Sequence, residues 1–312
     1  MKILVVGAGA IGGYFGARLL QAGRDVTFLV RPGRKAALAS GGLVVKSPRG
    51  DVKIDNPPML LANEIAAPFD LIILSCKAYD LDSAIASIAP AVGEETAILP
   101  LLNGMNHLDQ LVARFSEKNV LGGQCVIATT MDDAGAIIHL NNMHSLTFGE
   151  RAGGRTPRID TIAEVLGGAG FDVTASENIL LEMWEKWVFL STLAASTSLM
   201  RATIGDILAA PDGEKFLLGI LGEARLVAEK SGYAPRPPVA ERLLTNLTTK
   251  GSPLNASMAR DIARGNKIEA DHVVGDLIRR GREKAHGESF TLLVTAYTHL
   301  KAYEARRERE GK

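Results

Sequence analysis

The stretch Lys2–Arg31, KILVVGAGAIGGYFGARLLQAGRDVTFLVR, constrains this chain more than any other. A short apolar run enters Gly7-Ala8-Gly9-Ala10-Ile11-Gly12, a helical pattern follows, and a second apolar run closes the segment. A G-x-G-x-x-G string alone is weak evidence, because 32 glycines in 312 residues produce near-matches by chance. A strand before it, a helix after it and a second strand beyond make it a dinucleotide-binding βαβ unit. In such a unit Gly7 permits the tight turn, Gly9 lets the backbone approach a pyrophosphate, and Gly12 lets the helix pack closely on the strand. Ala8, Ala10 and Ile11 lie in the same cradle, where the amides and dipole of the helix N-terminus face the diphosphate.

The end of the second strand bears on the choice of cofactor. NAD sites usually place Asp or Glu there to accept from the ribose 2′-hydroxyl, but this chain reads Val30-Arg31-Pro32-Gly33-Arg34-Lys35. Asp25 stands too early in the strand to reach the ribose, and no other nearby carboxylate competes. Arg31 can grip a 2′-phosphate through a charge-assisted fork, so NADP is the expected cofactor.

Beyond this unit 312 residues suffice for two domains of ordinary size. Hydrophobic residues make up 46% and charged residues 22%, values that suggest neither disorder nor a membrane protein. Lys plus Arg equals Asp plus Glu at 35 each, which argues against a nucleic-acid surface or a polybasic membrane anchor. Partners should therefore be small molecules or a second copy of the chain, as a homodimer. The first strand begins within two residues of Met1, leaving no room for a signal peptide, and the two cysteines, Cys76 and Cys125, are too few for a disulfide framework. A cytoplasmic location is expected.

Farther along, residues 43–54 read as short strands or a hairpin inserted after the second strand. The apolar run Phe69–Cys76 delivers Lys77, and Thr96–Leu102 delivers Asn103. In an open parallel sheet the ligand crevice lies outside those strand ends, which places both residues to meet cofactor or substrate. Residues 120–149 read as three short strands forming an antiparallel edge of the same sheet, with His139 and His144 as ordinary strand polar residues. A domain boundary falls near residue 177, giving an NADP-binding domain over 1–177 and a helical substrate or dimerisation domain over 178–312. The helix over 179–194 is apolar on nearly every face yet carries Lys186, a cation that is costly there unless paired or used. Proton transfer is one reading; snorkelling to solvent beside Glu182 and Glu185 is the other. The fold class is α/β, a Rossmann-type dinucleotide-binding domain followed by an all-α C-terminal domain.

Several of these segments together resemble the ketopantoate reductase family: GAGAIG, Lys77 in SCKAYD, Asn103-Gly104-Met105, Trp184-x-Lys186, and Ser257-Met258-x-x-Asp261-Ile262 followed by Lys267-Ile268-Glu269. The resemblance covers nearly the whole chain. It implies NADPH-dependent reduction of 2-dehydropantoate to pantoate in pantothenate biosynthesis. Lys186 would then be the general acid and Glu269 the partner of the substrate hydroxyl. Ser257 would bond the substrate, Asn103 would orient substrate or nicotinamide, and Lys77 would line the junction between cofactor and substrate. One departure bears on the substrate. The family commonly carries Asn one and two turns after the catalytic Lys, where this chain has Leu190 and Ala194. Another branched 2-oxo acid is therefore an open alternative, as are a 6-phosphogluconate-like or 3-hydroxyacid dehydrogenase and a non-catalytic NADP-binding sensor. The Ser257…Glu269 run argues against the second of these, and the lost Asn pair is the best support for the third.

Overall fold

The computed structural model describes residues 1–311. Its first half runs β1 (Lys2–Val6), α1 (Ala10–Gln21), β2 (Asp25–Leu29), α2 (Pro32–Gly41), β3 (Leu43–Lys46), β4 (Val52–Ile54), β5 (Met59–Leu60), β6 (Leu71–Leu74), α3 (Leu81–Ile88), β7 (Ala97–Pro100), α4 (Asn106–Arg114), β8 (Gly122–Met131), β9 (Ile137–Gly149), α5 (Pro157–Leu166) and β10 (Asp172–Ala175). The short apolar runs become the sheet β5-β2-β1-β6-β7, parallel throughout. Val6 stands opposite both Leu29 and Leu74, so the three central strands end level and release Gly7, Val30 and Ser75 along one edge. Strand order reverses at β1 and β6, the place where such sheets hold their ligands.

Residues 120–149 do not form an edge of this sheet. They build a second one, β10-β9-β3-β4, in which β8 pairs antiparallel with β9 while β3 and β10 run parallel to β9. The 43–54 segment supplies β3 and β4 as an antiparallel hairpin within it. Where three short strands were expected there are two long ones. Asn141-Asn142 reads as a turn, but a shift in register between Ile127 and Thr129 absorbs the irregularity and β9 continues through it.

Helix α1 packs on both sheets. A Cβ on Gly12 would meet Val5 of the first at 3.2 Å, and one on Gly13 would meet Ile137 of the second at 2.4 Å. Phe15, Phe28, Leu146 and Phe148 are fully buried in the core beside it, each worth roughly 1.5–3 kcal/mol in burial. The two strand histidines are engaged locally, His144 Nδ1 with the Tyr14 hydroxyl (2.7 Å) and His139 with Ser47 Oγ and the Met143 carbonyl (2.9 Å each).

By contact the chain divides into two units, the first comprising Met1–Leu102 and His107–Ile179, the second Asn103–Asn106 and the chain from Leu180 onward. The second unit is built from α6 (Ile179–Met200), α7 (Ile204–Ala209), α8 (Gly213–Lys230), α9 (Pro237–Thr248), α10 (Ser257–Ala263), α11 (Asp276–Lys284) and α12 (Thr291–Arg309). Trp187, Val188, Leu193 and Ala195 are buried on successive sides of α6, as its uniform apolarity requires. The sequence suggests one helix over about 273–286. Instead a π-helical turn, Asp271–Gly275, precedes α11. Trp187 Nε1 donates to the Val273 carbonyl in that turn at 2.8 Å. Among the described residues no helix is long and apolar enough to cross a membrane.

Candidate functional site

The glycine turn after β1 has the geometry a diphosphate requires. Gly7 has φ +91°, a conformation L side chains rarely adopt, and its amide donates to the Leu29 carbonyl at 2.9 Å. A Cβ on Gly12 would lie 2.4 Å from the Gly7 carbonyl oxygen and 2.1 Å from Ser75 Oγ, which itself donates to the Val6 carbonyl at 3.0 Å. Gly9, by contrast, is extended and faces open space, with no heavy atom within 4 Å of where a Cβ would stand. It caps α1 without a side chain. The first-turn amides of Ala10, Ile11 and Gly12 therefore have neither an intrahelical acceptor nor a side-chain cap, and an anion is the natural partner. These residues fit a dinucleotide diphosphate.

At the end of β2 the structure corrects one expectation. Arg31 stands exposed at the N-cap of α2, and a carboxylate does compete for it: Asp80, three residues beyond Lys77, accepts from Arg31 Nη2 at 2.8 Å. The sequence hides this because Asp80 belongs to the loop after β6, separated from Arg31 by 49 residues but by a single strand, β1, in the sheet. With 69% of the Arg31 side chain exposed, the pair is worth about 0–1 kcal/mol, and a phosphate dianion would outcompete it. Hydrogen bonding to Asp80 raises the Arg31 pKa further, so the charge is permanent. Arg34, which sequence reasoning passed over, donates from Nε to the Ala8 carbonyl at 3.0 Å and from Nη2 to Gly135 at 3.2 Å, bracing the glycine turn. Lys77 is exposed at the start of the 3₁₀ turn Ala78–Asp80.

The remaining candidates lie in the second unit. Lys186 is partly exposed on α6, as are Phe189 and Leu190. Glu185, one of the two carboxylates that the snorkelling alternative invoked, is occupied elsewhere. It accepts from the Arg236 amide (2.9 Å), Nε (2.8 Å) and Nη2 (2.5 Å), with its side chain 5% exposed. Trp184 and Trp187 flank Lys186, their rings 4.8 Å apart, and Trp184 stacks on Tyr233. Through the Trp187–Val273 bond the Lys186 turn is tied to the segment that carries Glu269, which is half-buried just before the π-turn. Ser257 is exposed in the first turn of α10, preceded by Ala256, whose amide donates to Thr197 Oγ1 at 3.3 Å.

Asn103 does not group with Lys77. Although β6 and β7 are neighbours, the four residues Asn103–Asn106 belong to the second unit. There the ring of His272, a residue that sequence reasoning missed, donates to the Asn103 main-chain carbonyl. Of the hydroxyls near Leu190 and Ala194, those of Ser191, Thr192 and Ser196 are buried and bonded back to helix carbonyls at 2.7–3.2 Å. They do not replace the missing amides. Ser198 Oγ is buried with no hydrogen-bond partner.

Comparison with known proteins gives a consistent picture. Residues 3–153 match the family model described as ketopantoate reductase PanE/ApbA, and residues 178–304 match the model of its C-terminal domain. An uncharacterized oxidoreductase of Bacillus subtilis, YkpB, is 38% identical over 98% of this chain and 99% of its own. A 2-dehydropantoate 2-reductase of Streptococcus pyogenes is 26% identical over 96% of this chain and 98% of its own. Among solved structures, that of 2-dehydropantoate 2-reductase from Methylococcus capsulatus superposes with a TM-score of 0.86 at 28% identity, covering 98% of each chain.

Proposed function

Because the chain belongs to the ketopantoate reductase family, we propose that it reduces the ketone of 2-dehydropantoate (ketopantoate) to the alcohol of pantoate, a step of pantothenate biosynthesis, with NADPH as hydride donor. Family membership makes it an oxidoreductase that uses a nicotinamide dinucleotide. The amides of the Gly7–Gly12 turn would hold the diphosphate, and Arg31, exposed beside Asp80, would hold the 2′-phosphate. A nicotinamide held there would supply the hydride that the carbonyl carbon receives. Lys186 Nζ gives the proton to the carbonyl oxygen as charge develops there. Glu269 accepts from the hydroxyl of the substrate, Asn103 and Ser257 orient it, and Lys77 offers a cation to its carboxylate.

The observation that carries this reading is the setting of Lys186. It is a cation on a partly exposed stretch of an otherwise buried helix, and its turn is fastened by Trp187 to the segment bearing Glu269. Leu190 and Ala194 favour a second reading in which the preferred acid is branched and lacks the hydroxyl. A hydroxyl facing two apolar residues loses hydrogen bonds worth about 0.5–1.5 kcal/mol each. One comparison tests both. If ketopantoate is the substrate, Glu269→Ala loses far more kcat/KM on ketopantoate than on 2-oxoisovalerate, which has a similar branched frame without the hydroxyl. Equal losses on the two acids assign the pocket to a different substrate. The proposal includes a homodimer, which light scattering on the purified protein would detect as twice the chain mass.

A further inference from the structure

We propose that His272 is a positioning residue for this reaction, fixing the Asn103 loop against the turn that follows Glu269; the inference rests on the reading above that Asn103 and Glu269 contact the 2-oxo acid. Three features of the second unit carry it. The His272 ring is 5% exposed and donates a hydrogen bond to the main-chain carbonyl of Asn103, so the loop carrying one substrate contact is held by a side chain. Glu269, three residues earlier, lies close enough for its charge to act on that same ring. The two segments also touch directly: a Cβ on Gly104 would stand 2.8 Å from the His272 carbonyl oxygen and 3.1 Å from its Cδ2. Only glycine fits there, and Gly104 has φ +80° besides.

The next residue adds a third tie, since the Val273 carbonyl accepts from Trp187 beside Lys186. His272 thus occupies a π-turn, a local irregularity frequently found at functional sites, at a point linked to three groups of the proposed chemistry. Burial lowers the ring's pKa, opposed by the charges of Glu269 and Asp276 and reinforced by Arg280. At neutral pH the ring is uncharged and carries one N–H, which the Asn103 carbonyl takes. A buried histidine satisfied only for packing would hold the loop without affecting catalysis, and kinetics separates the two roles.

The test uses the full chain, steady-state kinetics with NADPH and ketopantoate, and NADPH titration by fluorescence. His272→Phe keeps the bulk and removes the donor; His272→Gln keeps an N–H donor. The expected result is a rise in KM for the acid of tenfold or more in the Phe variant with a fall in kcat, an NADPH dissociation constant within threefold of wild type, and substantial recovery in the Gln variant. His272→Leu serves as the donorless protein should the Phe variant fail to fold. Wild-type KM and kcat in the donorless variant, or losses in both variants that merely follow the folded fraction, would overturn the inference. Asn103→Ala and Glu269→Ala, each in the otherwise unaltered enzyme, show which claim failed. If neither changes KM or kcat for the acid, the reading of the site is wrong and the inference falls with it. If both do and the His272 variants do not, only the role of His272 is wrong.

Discussion

Gly9 and Gly12 stand three residues apart in one turn, yet alanine should act on them in opposite ways. At Gly12 the added methyl would lie 2.4 Å from the Gly7 carbonyl oxygen, a backbone atom that cannot rotate away, and 2.1 Å from Ser75 Oγ, whose rotation would break its bond to Val6. Overpacking of this kind costs about 1–3 kcal/mol. At roughly 2–4 °C per kcal/mol for a domain of this size, Tm should fall by several degrees. At Gly9 the methyl meets nothing, and the backbone is extended, so Gly9→Ala should leave Tm within about 2 °C of wild type or raise it through the lower entropy of the unfolded chain. The same methyl occupies the space a pyrophosphate needs. NADPH affinity should therefore drop at least tenfold, about 1.4 kcal/mol. Thermal melts without cofactor and fluorescence titrations with NADPH read the two effects separately. A Gly9→Ala protein that binds NADPH as wild type does would refute the diphosphate cradle.

Three further outcomes are expected. Arg31→Ala should raise KM for NADPH far more than for NADH, and Asp80→Asn should lower KM for NADPH by releasing Arg31; equal effects on both cofactors would remove the 2′-phosphate from the account. Lys186→Ala should reduce kcat by roughly 10²–10⁴-fold with a modest change in KM, as for a lost general acid, and an unchanged kcat would return Lys186 to a solvent-facing role. His144 and His272 are both held below the usual histidine pKa by burial, so the folded state binds fewer protons there than the unfolded chain. Their contribution to stability is present above the unfolded value near ~6.5 and is lost as pH falls below it. Tm should decline between pH 7 and pH 5.5, and His144→Gln should flatten the decline.

Much of this architecture is legible in the sequence because local signals and global structure agree. The Gly7–Gly12 turn, its flanking strands and α1 follow from patterning alone, and the uniform apolarity of α6 announces a central buried helix. What was not legible depends on pairing between distant segments. β3 and β10 join β9 through registers that no local pattern encodes, so the sequence reads as an edge of the first sheet where the fold builds a second. Asp80 reaches Arg31 only because β1 lies between β2 and β6. His272 carries no motif; its importance comes from the Asn103 loop leaving the sheet unit and grouping with the helices, a long-range event of the fold. The Trp184-x-Lys186 pattern and Glu269, both proposed to act on the substrate, are joined in the fold by the bond from Trp187 to Val273.

The central claim is that this protein turns over NADPH with a branched 2-oxo acid, and initial rates of NADPH oxidation at 340 nm test it most directly. Ketopantoate, 2-oxoisovalerate and unbranched 2-oxo acids would be offered in turn to the wild-type protein. The account predicts stoichiometric oxidation with the branched acids, ketopantoate first, and little with the unbranched ones. Tight NADPH binding without oxidation by any acid would contradict it and mark the protein as a nucleotide-binding sensor.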